Sequence, residues 1–522
     1  MAWAMSRSSS SSVTLAALTM AATASLLGCA PVGEKGSATT VWAQPAGDAP
    51  APVDRGGPTV DAPTTESTAP QPPALEPKYV DAATKLAALA DEDTRAWDRL
   101  AYVSDTFGHR LSGSKPLEQT IDWSLEVMRA DGLTNVRREK VMVPHWVRGE
   151  ESARILGPTP RELPVLGLGM TVGTPKRGIT AEVVVVNHLE ELDTRAAELK
   201  GKIVVINQAM PAYDHDSHDA HYGSTVQIRA HGASRAGQHG AKAVLIRSVT
   251  AHSLRTLHTG MLSYDEDKPK IPAAAITPED ADWFARMAAR GEPVKVQLQL
   301  GAKLLPDAES GNAVAEIRGR EKPDEIVVIG GHIDSWDVGD GSTDDGSGCL
   351  MAMEAAAMLV ELGLVPRRTI RVVLWTNEEN GLRGGKAYYE AHQGETHVAG
   401  IEADSGSAAP WGFGIGKDQA DLDALLPYAE LFAPLGADHF VLGGGGADIS
   451  PLTNAGMLGI AVRPDTSHYF DLHHSPADTI DKIAPYHLER NAAAMALMAF
   501  ILAERELPEP APATETPAPA SE

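Results

Sequence analysis

Cysteine is nearly missing from this chain: only Cys29 and Cys349 occur in 522 residues, so no disulfide framework holds it together. Aromatic residues are also sparse, at 5%. Positive charge is in deficit, with 45 Lys plus Arg against 70 Asp plus Glu and a formal net charge of -25, which disfavours nucleic acid and anionic lipid as partners. After the N-terminal stretch no run approaches the ~20 apolar residues that span a bilayer. What is present, 43% hydrophobic and 22% charged residues, is the composition of a globular protein with material for two or three domains.

The two cysteines need separate explanations. Arg7 and a serine run precede an apolar stretch, Val13 to Leu27, that is too short for a membrane span and is arranged as an export leader. Its ending, Leu26-Leu27-Gly28-Cys29, resembles a bacterial lipobox. That resemblance implies a leader over 1–28 and lipidation of Cys29, leaving a membrane-anchored lipoprotein on the periplasmic or cell-surface face. A plain cleaved signal would export the chain equally. Cys349 falls within an apolar helical run and is expected to be a buried free thiol.

Residues 29–77 are rich in Pro, Ala and Thr with few large apolar side chains, the composition of a disordered tether, and the tail 507–522 has the same character. Between them, 78–164 and 304–506 read as two parts of one α/β catalytic domain. The first opens with helix formers at apolar spacings of three to four. The second alternates strand and helix: EIVVIGGHID, a helix from about Ser347, TIRVVLWTNEE, and a helix around Gly385 to His392. This order predicts a mixed, mostly parallel sheet sandwiched by helices. The intervening 165–303 carries short β-rich runs, AEVVVVN, KIVVINQ, KAVLIRS, IPAAAIT and VKVQLQL, and reads as an inserted β-rich domain.

In open parallel sheets ligands gather at the carboxyl ends of the strands. Here those ends carry chemistry. EIVVIG runs into His332 and Asp334, and TIRVVLW runs into Glu378 and Glu379. Asp344, in STDDGSG, leads into the next helix, where its side chain can face the same crevice. A lone His-x-Asp or Glu-Glu says little. Brought to one sheet edge, His332, Asp344 and Glu379 are a donor set suited to zinc, and Asp404 and His474 would complete a pair of metals.

The strings GHRLSGSKPLEQ, GGHIDSWDVGDGSTDDGSG, TNEENGLRGG, EADSG, GGGGADISPL and HHSPADT occur in collinear order from about Tyr79 to Ala503. They resemble the co-catalytic zinc exopeptidases, specifically the carboxypeptidase Q (plasma glutamate carboxypeptidase) branch, related to bacterial leucyl-type zinc aminopeptidases. STVQIRAHGASRAGQHGAKAVLIRS resembles the protease-associated insert of that branch.

The resemblance implies two Zn2+ per chain. His332, Asp344 and Asp404 would hold one ion, Glu379 and His474 the other, and Asp344 would be shared. Glu378 takes the general-base position for attack by a metal-bridged water. Asp334 would orient the His332 imidazole and Asp478 that of His474. The spacing to Asp478-Thr479 selects His474 over His473 as ligand, leaving His473 to stabilise the oxyanion, bind a peptide terminus, or simply pack. The glycine loop from Gly443 to Gly446, with Gly445 and Asp448, is implied as a substrate-side element, and a homodimer is implied by the branch.

The run from Tyr213 to His221, with three histidines at every third residue, is read as a solvated loop and not as a metal site. Function is expected to be hydrolysis of dipeptides or short peptides, carboxypeptidase or dipeptidase type. An aminopeptidase of the same fold is one alternative. A single-zinc, glutaminyl cyclase-like acyltransferase and a non-catalytic receptor-like binding protein are the others.

Overall fold

The structure, a computed structural model, describes residues 75–506. The leader, Cys29, nearly all of the tether and the tail lie outside the described residues. The larger sheet contains β1 (Thr134–Val147), β2 (Lys303–Ile317), β3 (Lys322–His332), β4 (Arg368–Trp375), β5 (Thr396–Glu402), β6 (Pro410–Ile415), β7 (His439–Leu442) and β8 (Leu458–Pro464), in the order β1-β2-β4-β3-β5-β8-β6-β7. β4, β3, β5 and β8 run parallel to one another, so their carboxyl ends share one edge. The β1–β2, β2–β4 and β8–β6 pairs are antiparallel.

The apolar runs explain this placement. Ile326 to Ile329 on β3 and all of β4 are buried, as strands covered on both faces must be. One face is covered by helices Ser347–Glu361 and Pro485–Glu504, both buried along most of their length, together with the three N-terminal helices Pro77–Glu92, Arg95–Thr106 and Lys115–Ala130. The third of these starts where the sequence dictates: Pro116 suits a first turn, and Ser114 Oγ accepts from the Leu117 amide at 3.4 Å. Cys349 is a buried free thiol in the first covering helix. On the other face, Tyr388, Ile449, Leu452 and Met457 pack against Trp375 and Val373. No described helix is long and apolar enough to cross a membrane.

The inserted domain has its own eight-stranded sheet. Its four central strands, Ile179–Val186, Ile203–Ile206, Ala243–Arg247 and Ala273–Ile276, are parallel, with helix Gln227–Gln238 on one face and Pro278–Ala289 on the other. One boundary differs from expectation. Strand Glu151–Gly157 pairs with Lys295–Leu300, so this sheet begins near 151 and not at 165. Its alternating exposed and buried residues mark a half-buried strand, but directly after an extended segment it read as a continuation of the catalytic domain.

Candidate metal centre

His332 ends β3, and its amide donates to Asp345 Oδ2 at 3.0 Å. Asp345 Oδ1 also accepts from the Gly348 amide at 3.1 Å. This close approach needs glycine: a Cβ on Gly348 would collide with the Asp345 carboxylate and the Ala403 carbonyl. Asp345 is therefore spent on holding the helix start against the strand end, while Asp344, one residue earlier, points the other way. His332 Nε2 lies 3.2 Å from Asp344 Oδ1 and 3.6 Å from Asp404 Oδ1. Across the site, His474 Nε2 lies 3.2 Å from Asp344 Oδ2 and 3.0 Å from Glu379 Oε2. Asp344 thus stands between the two imidazoles, and all five predicted donors meet at the carboxyl edge of the sheet.

The turn after β4 separates the adjacent glutamates. Asn377 adopts φ +68° and Leu382 φ +55°, both in the left-handed region. Glu379 turns inward to His474, and the half-buried Glu378 lines the cavity. His474 itself sits at φ +58°, a strained conformation for a non-glycine residue that the surrounding contacts must maintain.

Charge in this cluster is crowded. Burial raises the Glu378 carboxyl well above the usual range; His332 opposes this, and Asp404, Glu379 and Asp334 reinforce it. Burial also raises Glu379 to about 7, against the pull of His474. His474 is lowered by burial but lifted more strongly by Glu379 and Asp344, reaching about 9. Asp344 Oδ2 and Glu379 Oε1 are buried without a hydrogen-bond partner. Orphaned carboxylate oxygens beside inward-facing imidazoles are what a bound divalent cation would satisfy. The donor atoms of His332, Asp344 and Glu379 lie within 4.8 Å of one another, as do those of Asp344, His473 and His474. The residues therefore fit zinc in both chemistry and spacing.

The inserted domain builds the back of His474. The Thr259 amide donates to the His474 carbonyl at 2.9 Å, and His258 Nδ1 lies 2.8 Å from the His473 carbonyl. His474 Nδ1 is 3.4 Å from the Thr259 carbonyl, which also accepts from Arg229 Nη1 at 3.3 Å. Arg229 Nη1 stands 3.1 Å from His474 Nδ1, and Nη2 donates to Tyr222 Oη at 2.6 Å. Tyr222 in turn stacks on Phe470 at 4.6 Å. Nδ1 of His474 thus faces the donor-only Arg229 guanidinium and, farther off, the Thr259 carbonyl, and the ring so held turns Nε2 to the donor cluster. Gly260, at φ +123°, leaves the space for this contact, since a side chain there would strike both Arg229 and His474.

Sequence reasoning missed Arg229, Tyr222 and Thr259. One signal existed: Arg229 occupies the same face of its helix as Gly232, Ala233 and Ala236, all buried, and a cation at such a spacing has to answer something. The histidine run is a largely exposed loop that forms no donor group among the described residues, as read from the sequence, but part of it also borders the cavity. Tyr213, His218 and Asp219 line the cavity, with His218 packed on Trp411 at 4.5 Å between ring centres, because the loop folds across the domain boundary.

Other assignments change in detail. Asp334 reaches His332 Nδ1 through its backbone carbonyl at 3.0 Å, while its carboxylate accepts from the Glu378 amide at 3.0 Å and from Ser112 Oγ at 3.2 Å. Its carboxylate thus positions Glu378. Asp478 supports Asp344 and not His474: its carboxylate accepts from the Thr343 and Asp344 amides at 2.6 and 3.0 Å. Gly445 and Asp448 are not among the residues that line the cavity. Asp448 is buried behind Gly385, and its amide donates to Glu402 at 3.3 Å. His473 lines the cavity, stacked on His474 at 3.5 Å, with Nε2 3.7 Å from Asp344 Oδ2.

Comparison with known proteins gives a consistent picture. The profile described as Peptidase family M28 matches residues 312–499, and that of the PA domain matches 179–284. Carboxypeptidase Q of Mus musculus is 43% identical over 424 residues, covering 81% of this chain and 88% of its own length. Carboxypeptidase Q of Homo sapiens is 42% identical over 426 residues, with the same coverage of 81% and 88%. The solved structure of a peptidase M28 precursor from Shewanella amazonensis is 36% identical with TM-score 0.79, covering 82% of this chain and 98% of that one. A zinc aminopeptidase from Bacillus subtilis, 20% identical with TM-score 0.57 over 79% of this chain and 96% of its own, shares the fold.

Proposed function

This chain belongs to peptidase family M28 and is a metallo-exopeptidase, and from that premise we propose that it hydrolyses dipeptides or short peptides in the carboxypeptidase or dipeptidase direction, using two zinc ions. The observation that carries the proposal is Asp344 standing between His332 and His474, with Asp404 and Glu379 completing the two sides. A single-ion site would need only three of these five donors.

The cavity above them, about 780 Å³, suits a short peptide. Its walls come from both domains, Tyr222 and Met261 from the insert and Trp411 and Tyr469 from the catalytic domain. A cavity walled by both domains favours short peptides over the interior of a folded chain.

His332, Asp344 and Asp404 would hold one ion and Asp344, Glu379 and His474 the other. Bound there, zinc supplies Lewis-acid polarisation of the scissile carbonyl and acidifies water. The chain moves the proton. Glu378 faces the cavity with its backbone fixed by the Asp334 carboxylate, placed to accept a proton from the attacking water and deliver it to the leaving amine. His473, which lines the cavity stacked on His474, is placed where an imidazole N–H can donate to the developing oxyanion.

Export through the N-terminal leader, anchoring at Cys29 and homodimer formation belong to the same proposal. Cys29→Ser would then leave the membrane fraction, and continued membrane association would contradict the anchor. Turnover of a dipeptide panel by the purified protein, abolished by a chelator and restored by zinc, tests the activity. Hydrolysis that survives chelation would refute the metal-dependent reading.

A further inference from the structure

Nearly every buried or half-buried arginine in this acidic chain is answered. Arg371 meets Glu316 and Glu395, Arg95 meets Glu354, and Arg148 meets Asp337; the fully buried Arg110 is surrounded by backbone carbonyls. Arg463 and Arg505 each have a neutral carbonyl as their one acceptor among the described residues, and of the two only Arg463 lines the cavity. Arg463 is half-buried, and its acceptor is Gly443 O at 3.0 Å. Burial pushes its guanidinium down, and only the Tyr213 hydroxyl across the domain boundary acts in the other direction.

The fold aims this cation. On β8, Ala461 pairs with Glu402 of β5 in parallel register, so Arg463 emerges two residues later at the edge where Asp404 follows Glu402. From there its side chain runs over the neighbouring strand β6 towards the loop after β7, where Nη2 reaches the Gly443 carbonyl. The side chain is also fixed in place: it lies across Gly414, where an added Cβ would come within 2.7 Å of Arg463 Nε.

The other cavity cations are accounted for. Arg229 is engaged by Tyr222, Thr259 and His474; Lys386, like Arg463, has one neutral carbonyl acceptor, Gly381 O at 3.0 Å, but is exposed to solvent where Arg463 is half-buried. A half-buried guanidinium with free N–H groups, facing a substrate cavity in a chain with a net charge of -25, is an acceptor site for an anion.

We propose that Arg463 is the carboxylate-binding residue of the substrate cavity, engaging a carboxylate on the leaving residue. This rests on the peptidase reading above and gives it a direction: the anchored end is the C-terminus. The carboxylate is either the terminal one or an acidic side chain.

The test compares wild type, Arg463→Met and Arg463→Lys, each zinc-loaded, on three substrates: a dipeptide with an apolar leaving residue, its C-terminal amide, and the amide of a dipeptide whose leaving residue is glutamate. Zinc content and thermal midpoint are measured on every variant. The expected result is a fall of roughly 10- to 100-fold in kcat/KM for Arg463→Met on a carboxylate-bearing substrate, carried by KM, with little change on the apolar amide. Arg463→Lys should retain part of the preference. Loss confined to the free acid assigns the terminal carboxylate, and loss on the glutamate amide assigns the side chain. Equal effects on acid and amide, or none on either, overturn the assignment. A wild type that cleaves no peptide overturns the peptidase reading and this inference together.

Discussion

The two sheets of this protein are alike in size and contribute in different ways. In the catalytic sheet, parallel strands end in His332, the Glu378-Glu379 turn and the segment bearing Asp404, so topology alone delivers the donors to one edge. The insert also has parallel strands, yet no donor cluster forms at their ends among the described residues. It acts from the side: Arg229, Tyr222 and Thr259 set the far nitrogen of His474, and Tyr213 and His218 line the cavity. One domain supplies the chemistry and the other fixes its geometry.

The sharpest way to test that division is to remove the chemistry and leave the geometry. Glu378→Gln should lower kcat by roughly 10²- to 10⁴-fold while zinc content, measured by mass spectrometry, stays at the wild-type value. Loss of zinc in this variant would show that Glu378 and Glu379 exchange roles. The reverse experiment alters geometry from the insert. Arg229→Met should cost roughly 10- to 100-fold in zinc affinity or kcat/KM, measured by chelator competition and steady-state kinetics. Gly260→Ala should act in the same direction, because its methyl would displace the Arg229–His474 contact. If both behave as wild type, the insert is only a cover.

The smallest effect lies away from both. Glu489 is a buried carboxyl accepting from the Ala96 amide at 2.7 Å; burial, with Glu354 nearby, raises it to about 7. A carboxyl whose folded pKa is raised favours the protonated folded state. Its contribution is complete below the unfolded value, about 4.5, and is lost as pH rises through about 7. Glu489→Gln should therefore raise the thermal midpoint by a degree or two at pH 8 and leave it unchanged at pH 4, in calorimetry. An equal change at both pH values would show a packing effect instead.

The difference between the domains also explains what was legible in the sequence. His332, Asp344, Glu379, Asp404 and His474 were readable because apolar strands run directly into acids and histidines, and strand direction fixes where such residues arrive. The role of Asp345 was not readable beside Asp344, since the choice depends on which way each carboxylate turns. Asp478 was assigned to the wrong partner for the same reason. Arg229 and Arg463 sit in ordinary helix and strand sequence; only packing across the domain boundary and pairing between strands show what they face. The insert's start was missed because a single alternating strand carries no sign of which sheet it joins.

Zinc stoichiometry, measured by mass spectrometry on purified wild type and on Asp344→Ala, bears most directly on the claim that one carboxylate joins two cation sites. The account predicts about two ions per chain in the wild type and one or none in the variant. A wild type that binds no zinc, or a variant that keeps the full complement, would contradict it.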